Sequence, residues 1–245
     1  MSITHRAPIL WLTLRQFRAG RAILLVALFA ATPVLFAAIF RWSSATGDAT
    51  EFLSNFFLEI LAPTILPLAT LILATNALGN EIADRTLVYI VLKPVARGRL
   101  IVEKFIASTL VTVLAFTFGL VATWAVATGG SGSGRVLGAL LAGTLAGVAA
   151  YGALFLLISL LVPRALLVGI IYVLIWESAL ARFIPGIKML SVRHFAQSVF
   201  VRILDNPAIR LDRALQLSSA TIVLVVLVVA ALALATLRLR QMNLP

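Results

Sequence analysis

Residues 80–97 read NEIADRTLVYIVLKPVAR, and they hold the densest mixture of acidic and basic side chains in a very apolar chain. An uncharged run lies on each side of this stretch, at residues 60–79 and 105–128. Each run is long enough to cross a bilayer, which takes about 20 apolar residues. The stretch therefore predicts a charged connection between two membrane-spanning helices, and such a connection is suited to dock a soluble partner.

The composition of the whole chain indicates that lipid is its solvent. Of its 245 residues, 62% are hydrophobic and 12% are charged, and the mean hydropathy is +1.09. A soluble domain is only about 45–50% apolar, so it could not hide this much apolar surface. The net charge of +11 would suit nucleic acid, but that use needs a basic face on a soluble domain. We expect Lys and Arg to flank membrane spans instead, with no nucleic-acid partner.

Six apolar segments approach spanning length, and they predict an all-α integral membrane protein in which residues 1–245 form one transmembrane domain. Pro63 and Pro67 should bend the second segment, and the fifth is short. The first is longer than the 7–15 apolar residues of a cleaved signal peptide, so we expect it to be retained. The six segments are residues 22–40, 60–79, 105–128, 136–162, 165–181 and 217–237.

The N-terminal residues 1–21 predict a helix that lies flat in the membrane interface. Leu10, Leu14 and Phe17 share one helical face, while Arg15 and Arg18 lie off it, where they can meet anionic headgroups. The alternative is that this segment simply begins the first span.

Residues 182–216 predict an amphipathic insertion on the outer membrane surface, before the sixth span. Ser191 can cap a short helix whose apolar face comprises Val192, Phe195, Val199 and Ile203. Asn206-Pro207 should end this helix, and a second short helix can begin there. We expect one or two amphipathic helices that rest on the outer membrane surface or dip partly into it. We expect Gln197 to be reachable by reagents from outside the cell.

The distribution of Lys and Arg predicts the orientation. With six spans, twelve of the 20 basic residues fall on the side that holds both termini, and eight fall on the other side. Basic residues are enriched on the cytoplasmic side, so both termini are expected in the cytoplasm.

Motifs for catalysis, metals or nucleotides find little support. Residues 129–132 fit the G-x-S-G pattern of intramembrane serine proteases, but they form a Gly/Ser turn, and His194, the candidate base, is expected outside the membrane. The chain has no phosphate-binding G-x-x-x-x-G-K-[ST] loop, so it should not bind ATP itself. It has no cysteine and two distant histidines, so no metal site is expected.

Glu59 and Glu177 are the only acids near span interiors, each toward the outer end. Either residue could line a polar cavity, or lie at the interface beside a base such as Arg182. Gly143 and Gly147 form a GxxxG pair that permits close helix approach. We favour packing within one subunit over a dimer seam.

The charged stretch itself predicts a short helix that ends at a proline. Glu81 and Arg85 are four residues apart, which is a favourable helical pair. Lys93-Pro94 should end the helix, because a residue before proline avoids helical angles. Such an element, joined to two spans, can transmit a push.

At these residues the chain resembles the permease subunits of type-2 ABC exporters. Members have a Glu, then a Thr-Leu pair, then a basic or polar residue before Pro, and an Arg three residues after that Pro. Here these are Glu81, Thr86-Leu87, Lys93-Pro94 and Arg97. Many members have Gly before the Thr, whereas this chain has Arg85, as in a bacterial subgroup. The resemblance extends over almost the whole chain, including Trp176-Glu177, Pro185-Gly186 and Leu190-Ser191.

The resemblance implies a transport subunit of the bacterial inner membrane rather than an enzyme. It would pair with a second permease subunit, identical or different, and with a separate ABC ATPase that binds ATP and Mg²⁺, so this chain would need no cofactor. Substrate would leave outward through the dimer interface. The alternatives are a secondary transporter or channel that works without an ATPase, and a membrane-embedded enzyme.

The resemblance also implies which residues contact the ATPase. The cytoplasmic coupling loop would be residues 80–99, and the N-terminal helix would lie near the ATPase through Trp11, Arg15 and Arg18. The implied contacts of the coupling helix are Glu81, Asp84, Arg85, Thr86, Leu87, Tyr89, Lys93, Pro94 and Arg97.

Overall fold

The computed structural model describes residues 8–19, 22–43, 47–83, 96–180 and 191–242. Within these ranges the chain folds into helices and contains no strand, which confirms the all-α class. The helices are α1 (Pro8–Ala19), α2 (Ala22–Trp42), α3 (residues 49–83), α4 (Arg97–Thr128), α5 (Gly134–Leu161), α6 (residues 165–180), α7 (Val192–Leu204) and α8 (Leu217–Gln241).

Five of these helices are long and apolar enough to cross a membrane, namely α2, α3, α4, α5 and α8. They correspond to five of the six predicted spans, and α6, at the predicted fifth span, is a shorter apolar helix. Two helices begin at least eight residues earlier than predicted. α3 starts at Ala49, where the Asp48 carboxylate caps it by accepting from the Thr50 N–H at 3.0 Å. α4 starts at Arg97, because its charged first turns find partners within the protein.

Two helices change from α to π geometry along their length. In α3, the α-helical segments Ala49–Phe56 and Leu66–Ala83 flank a π-helical segment, Phe57–Ile65. In α6, Ala165–Ile171 is α-helical and Tyr172–Leu180 is π-helical. The sequence predicted a bend at Pro63 and Pro67. The π-helical segment contains Pro63, whose ring nitrogen cannot donate the hydrogen bond that a regular helix requires.

The central helix is α5, which packs against α3, α4, α7 and α8. Its glycines make this packing close. A Cβ at Gly143 would lie 2.6 Å from the Phe57 ring, and one at Gly147 would lie 2.4 Å from a Leu66 methyl group. The GxxxG pair therefore serves helix packing within the chain, as the sequence predicted.

α2 and α4 approach each other even more closely. A Cβ at Gly119 of α4 would lie 2.1 Å from the carbonyl oxygen of Ala30 in α2. On their outward faces, α2, α4 and α8 present large aliphatic and aromatic side chains, such as Leu28, Phe118 and Ile222. An apolar surface of this extent suits contact with lipid.

α7 departs most from the sequence prediction. The Ser191 side chain caps it by accepting from the His194 N–H, as predicted. The helix is buried on nearly all sides against α5 and α8, however, whereas the sequence pattern indicated one buried face. Its position at the outer membrane surface stays a prediction. Gln197 is only 3% exposed, so the expectation that external reagents would reach it is wrong. α7 is buried because Gly143 of α5 has no side chain, which lets Phe200 of α7 pack close to the α5 backbone.

The chain after α7 forms turns, so the described part of residues 182–216 contains one of the one or two predicted helices. Asn206 Oδ1 accepts a hydrogen bond of 3.0 Å from the Ala208 N–H, which closes a turn at Asn206-Pro207. Arg202 then donates to the carbonyl oxygens of Ala214 and Leu215, at 3.0 and 2.8 Å. These bonds fold residues 205–216 back along α7.

Candidate functional site

Four charged side chains in the first two turns of α4 make polar contacts, and we call them the base cluster: Arg97, Arg99, Glu103 and Lys104. α4 places Arg99 and Glu103 on one face, because residues four apart are neighbours on a helix. The cluster begins two residues after the 84–95 segment, within the region where the sequence predicted a docking surface. It therefore marks one end of the helix bundle, here called the base.

Glu103 joins the start of α1 to α4. Its side chain is 6% exposed, and Oε2 accepts hydrogen bonds from the N–H groups of Ile9 and Leu10, at 3.1 and 3.0 Å. Oε1 accepts from Arg99 Nε at 2.6 Å. The first N–H groups of a helix have no partner within the helix and carry a partial positive charge. The Glu103 carboxylate satisfies two of them, so it fixes α1 to α4 by its N-terminus.

Arg97 joins α4 to the end of α8. Its Nη1 donates a hydrogen bond of 2.6 Å to the carbonyl oxygen of Leu239, in the last turn of that helix. Gly98 reinforces the contact, because a Cβ there would lie 3.3 Å from a Thr236 methyl group. A guanidinium on the last carbonyls of a helix is favourable, since those oxygens carry a partial negative charge.

Lys104 joins α4 to α3. Its side chain is 1% exposed, and Nζ donates to the carbonyl oxygen of Ala77 at 2.5 Å. A buried ammonium group is costly unless oxygen atoms surround it. Breaking this hydrogen bond would therefore destabilise the packing of α4 on α3. Through Glu103, Lys104 and Arg97, the base cluster connects α4 to α1, α3 and α8.

The predicted ATPase contacts fall mainly outside the described residues. Glu81 lies in the last turn of α3, where the structure describes the backbone alone. Arg97 begins α4 and bonds Leu239, as above. The contacts outside the described residues are Asp84, Arg85, Thr86, Leu87, Tyr89, Lys93 and Pro94.

α1 is a distinct helix that ends at Ala19, before α2 begins at Ala22. Its most buried side chains are Ile9, Thr13 and Phe17, whereas the sequence predicted Leu10, Leu14 and Phe17 as the apolar face. The bonds from Glu103 explain the difference, because they turn the Ile9 side of α1 toward α4. Trp11 is 48% exposed and Arg15 is exposed, while the Arg18 side chain lies outside the described residues.

The two acids of the span interiors have different surroundings. Glu59 is exposed on the π-helical segment of α3. Glu177, in the π-helical segment of α6, is fully buried. Its carboxylate accepts hydrogen bonds from the Tyr172 hydroxyl at 3.0 Å, the Val192 N–H at 3.1 Å and the Ser191 hydroxyl. The alternative partner, Arg182, lies outside the described residues.

Sequence reasoning did not identify the buried roles of Glu103, Lys104 and Gln197. A signal existed for Glu103, because Arg99 and Glu103 have the spacing of a helical ion pair. A weaker signal existed for Gln197, because Pro63 leaves a carbonyl in α3 without its donor. In the described ranges, no group of three or more His, Asp or Glu side chains could hold a metal ion.

Comparison with known proteins gives one family. A family model described as "ABC-2 family transporter protein" matches residues 17–196, which is nearly three quarters of the chain. The match runs from the end of α1 into α7, so it includes the base cluster and both π-helical segments. No curated protein matches the chain.

Proposed function

Because this chain belongs to the ABC-2 transporter family and is a membrane permease of an ABC transporter, we propose that it exports substrate when a separate ATPase binds and hydrolyses ATP. In this proposal the chain lies in the bacterial inner membrane with its base and both termini in the cytoplasm. Six spans cross the membrane, with α6 as the short fifth one. ATP and Mg²⁺ bind the ATPase, and two permease subunits, identical or different, enclose the substrate path.

The base cluster is the observation that carries the proposal. The 84–95 segment leads directly into α4, and the cluster connects the first two turns of α4 to three other helices. A push on that segment is therefore applied to α1, α3, α4 and α8 together. A loop that only satisfied the charge bias of membrane proteins would not need a buried carboxylate and a buried ammonium group beside it.

The network also determines how the push is distributed. Charge-assisted hydrogen bonds are shorter and roughly twice as strong as neutral ones, so these contacts resist separation. α1 is held by Glu103 at its N-terminus, and it presents Trp11 and Arg15 outward. We therefore place α1 beside the ATPase, as a second element that moves with α4.

The first test is co-purification of the chain with an ABC ATPase from the native membrane. The proposal expects an ATPase whose hydrolysis rate changes when the permease is present. If no ATPase accompanies the chain, and transport proceeds in vesicles that contain the permease alone, the chain is a secondary transporter or channel and the proposal fails.

The second test reverses one charge near each end of α3. Glu81→Lys changes a proposed ATPase contact, whereas Glu51→Lys changes the first turn of the same helix, away from the base. We expect Glu81→Lys to weaken ATPase capture in a pull-down and Glu51→Lys to leave it unchanged, with both variants inserted in the membrane. Equal capture by the two variants would contradict the assigned surface.

A further inference from the structure

Both π-helical segments make a side-chain contact with the same short helix, α7. The segment in α3 contacts the segment in α6, and each is hydrogen-bonded to a different part of α7. π-helical structure is rare, and it is frequent at functional sites. The two segments lie side by side and are held by one helix, which suggests that they act together.

In α3 the contact replaces a hydrogen bond that the backbone cannot form. In a π-helix the carbonyl of residue i pairs with the N–H of residue i+5, as the Leu66 N–H does with the Leu61 carbonyl. The corresponding donor for Leu58 would be residue 63, which is a proline without an N–H. Gln197 Nε2 donates to the Leu58 carbonyl instead, at 2.5 Å, from a side chain that is 3% exposed.

In α6 the contact joins the π-helical segment to the start of α7. Tyr172 and Glu177 are five residues apart, so π geometry brings the Tyr172 hydroxyl to the Glu177 carboxylate, at 3.0 Å. The same carboxylate accepts from Ser191 and from the Val192 N–H, which are the cap and first residue of α7. Arg193 Nη1 also approaches the Glu177 carbonyl oxygen, at 3.4 Å.

α7 is itself fixed to the centre of the molecule. A Cβ at Gly143 would lie 3.1 Å from Phe200 Cβ and 3.3 Å from the Ala196 carbonyl oxygen, so α7 fits closely against α5. The Phe57 and Phe200 rings also stack, with centroids 4.4 Å apart. The two contacts therefore relate both π-helical segments to one rigid support.

We propose that α7 is a clamp that holds the π-helical segments of α3 and α6 in register, and that these segments change register when the clamp is released during transport. A change from i+5 to i+4 pairing tightens each hydrogen-bonded loop by one residue and rotates the helix beyond it. In α3 the part that rotates is Ala49–Phe56, which lies beyond the π-helical segment as seen from the base. In α6 it is the π-helical segment Tyr172–Leu180 itself. The transport step rests on the proposed function, whereas the clamp itself does not.

The clamp on α3 is tested by hydrogen–deuterium exchange of the full-length permease alone, in lipid nanodiscs. Gln197→Leu should speed hydrogen–deuterium exchange of the amides of residues 57–65 by about five- to tenfold. This factor corresponds to the free-energy contribution of one hydrogen bond. Pro63→Ala restores an N–H for the Leu58 carbonyl, so the double variant should exchange nearly as slowly as wild type. If Gln197→Leu does not fold, Gln197→Asn, whose amide is too short to reach, takes its place.

The clamp on α6 is tested in the same preparation. Glu177→Ala should speed exchange of residues 172–180 by a similar factor. Ser159→Ala is the matched control, because it also removes a buried hydroxyl hydrogen bond, 2.8 Å to the Phe155 carbonyl in α5. The clamp is overturned if both segments exchange no faster in the Gln197 and Glu177 variants than in the control. It is also overturned if residues 57–65 exchange as fast in the double variant of Pro63 and Gln197 as in Gln197→Leu.

The transport step needs the co-purified ATPase. Exchange of residues 57–65 and 172–180 should differ between the nucleotide-free and ATP-bound complexes, while α5 stays protected in both. Equal exchange in the two states would overturn the change of register during transport. This result would leave the ATPase assignment intact, because hydrolysis and capture are measured separately.

Discussion

The guanidinium of Arg97 donates a hydrogen bond of 2.6 Å to the carbonyl oxygen of Leu239, across 142 residues of sequence. The same residue follows the 84–95 segment and is one of the predicted ATPase contacts. Arg97 thus has a hydrogen-bond partner within the chain. Because a guanidinium has five N–H donors, it can also donate a hydrogen bond to a partner protein.

Arg97→Ala should loosen the last turn of α8 and lower the free energy of unfolding by about 1–2 kcal/mol. Thermal unfolding in detergent measures the loss. The control is Arg135→Ala, which removes an exposed ion pair with Asp205, 3.5 Å long, and should cost less than about 1 kcal/mol. If Arg97→Ala unfolds like wild type yet no longer captures the ATPase, its main role is the external contact.

Glu103→Ala should release α1 from α4. It leaves the Ile9 and Leu10 N–H groups without their acceptor, which costs about 1–3 kcal/mol for a buried group. The chain has no cysteine, so a single nitroxide at Gln16→Cys can report the motion of α1 by electron paramagnetic resonance. We expect a sharper, more mobile spectrum in Glu103→Ala and no change in Glu51→Ala. Identical spectra in both would show that packing alone holds α1.

Gly119→Ala should force α2 and α4 apart. The new methyl carbon would lie 2.1 Å from the Ala30 carbonyl oxygen, and overpacking of this kind costs about 1–3 kcal/mol. Gly138→Ala is the control, because nothing lies within 4 Å of a Cβ there, and alanine favours the helix. A melting temperature of Gly119→Ala equal to or above that of the control would contradict the close crossing.

The proposed orientation can be tested by labelling intact cells with an impermeant thiol reagent. Arg210→Cys, in the exposed turns after α7, should be labelled in intact cells. Arg240→Cys, at the base, should be labelled only after the cells are permeabilised. A cysteine at position 197 (Gln197→Cys) should not be labelled from outside, because this position is buried in α7. The reverse pattern for positions 210 and 240 would invert the topology.

The sequence predicted well those features that depend on local pattern. Uncharged runs located the long helices, and Ser191 was recognised as a cap because its side-chain acceptor lies three residues before the N–H that it caps, which is a local property. The GxxxG pair in α5 was also interpreted correctly.

Features that depend on distant partners could not be predicted in the same way. The amphipathic pattern of α7 suits a surface helix, and only the glycines of α5 explain why it is buried. Similarly, Glu103 and Lys104 look like solvated charges at a helix start until α1 and α3 supply their partners. Hydrophobic periodicity also cannot distinguish α from π geometry within an apolar run.

The span of the Arg97–Leu239 bond has a consequence for biosynthesis. The acceptor is made 142 residues after the donor, so the bond cannot form until the chain between them has been synthesised. Until then the base cannot close, however early the first helices have entered the membrane. A chain in which translation stops before α8 has no Leu239 carbonyl for Arg97, so its base stays open.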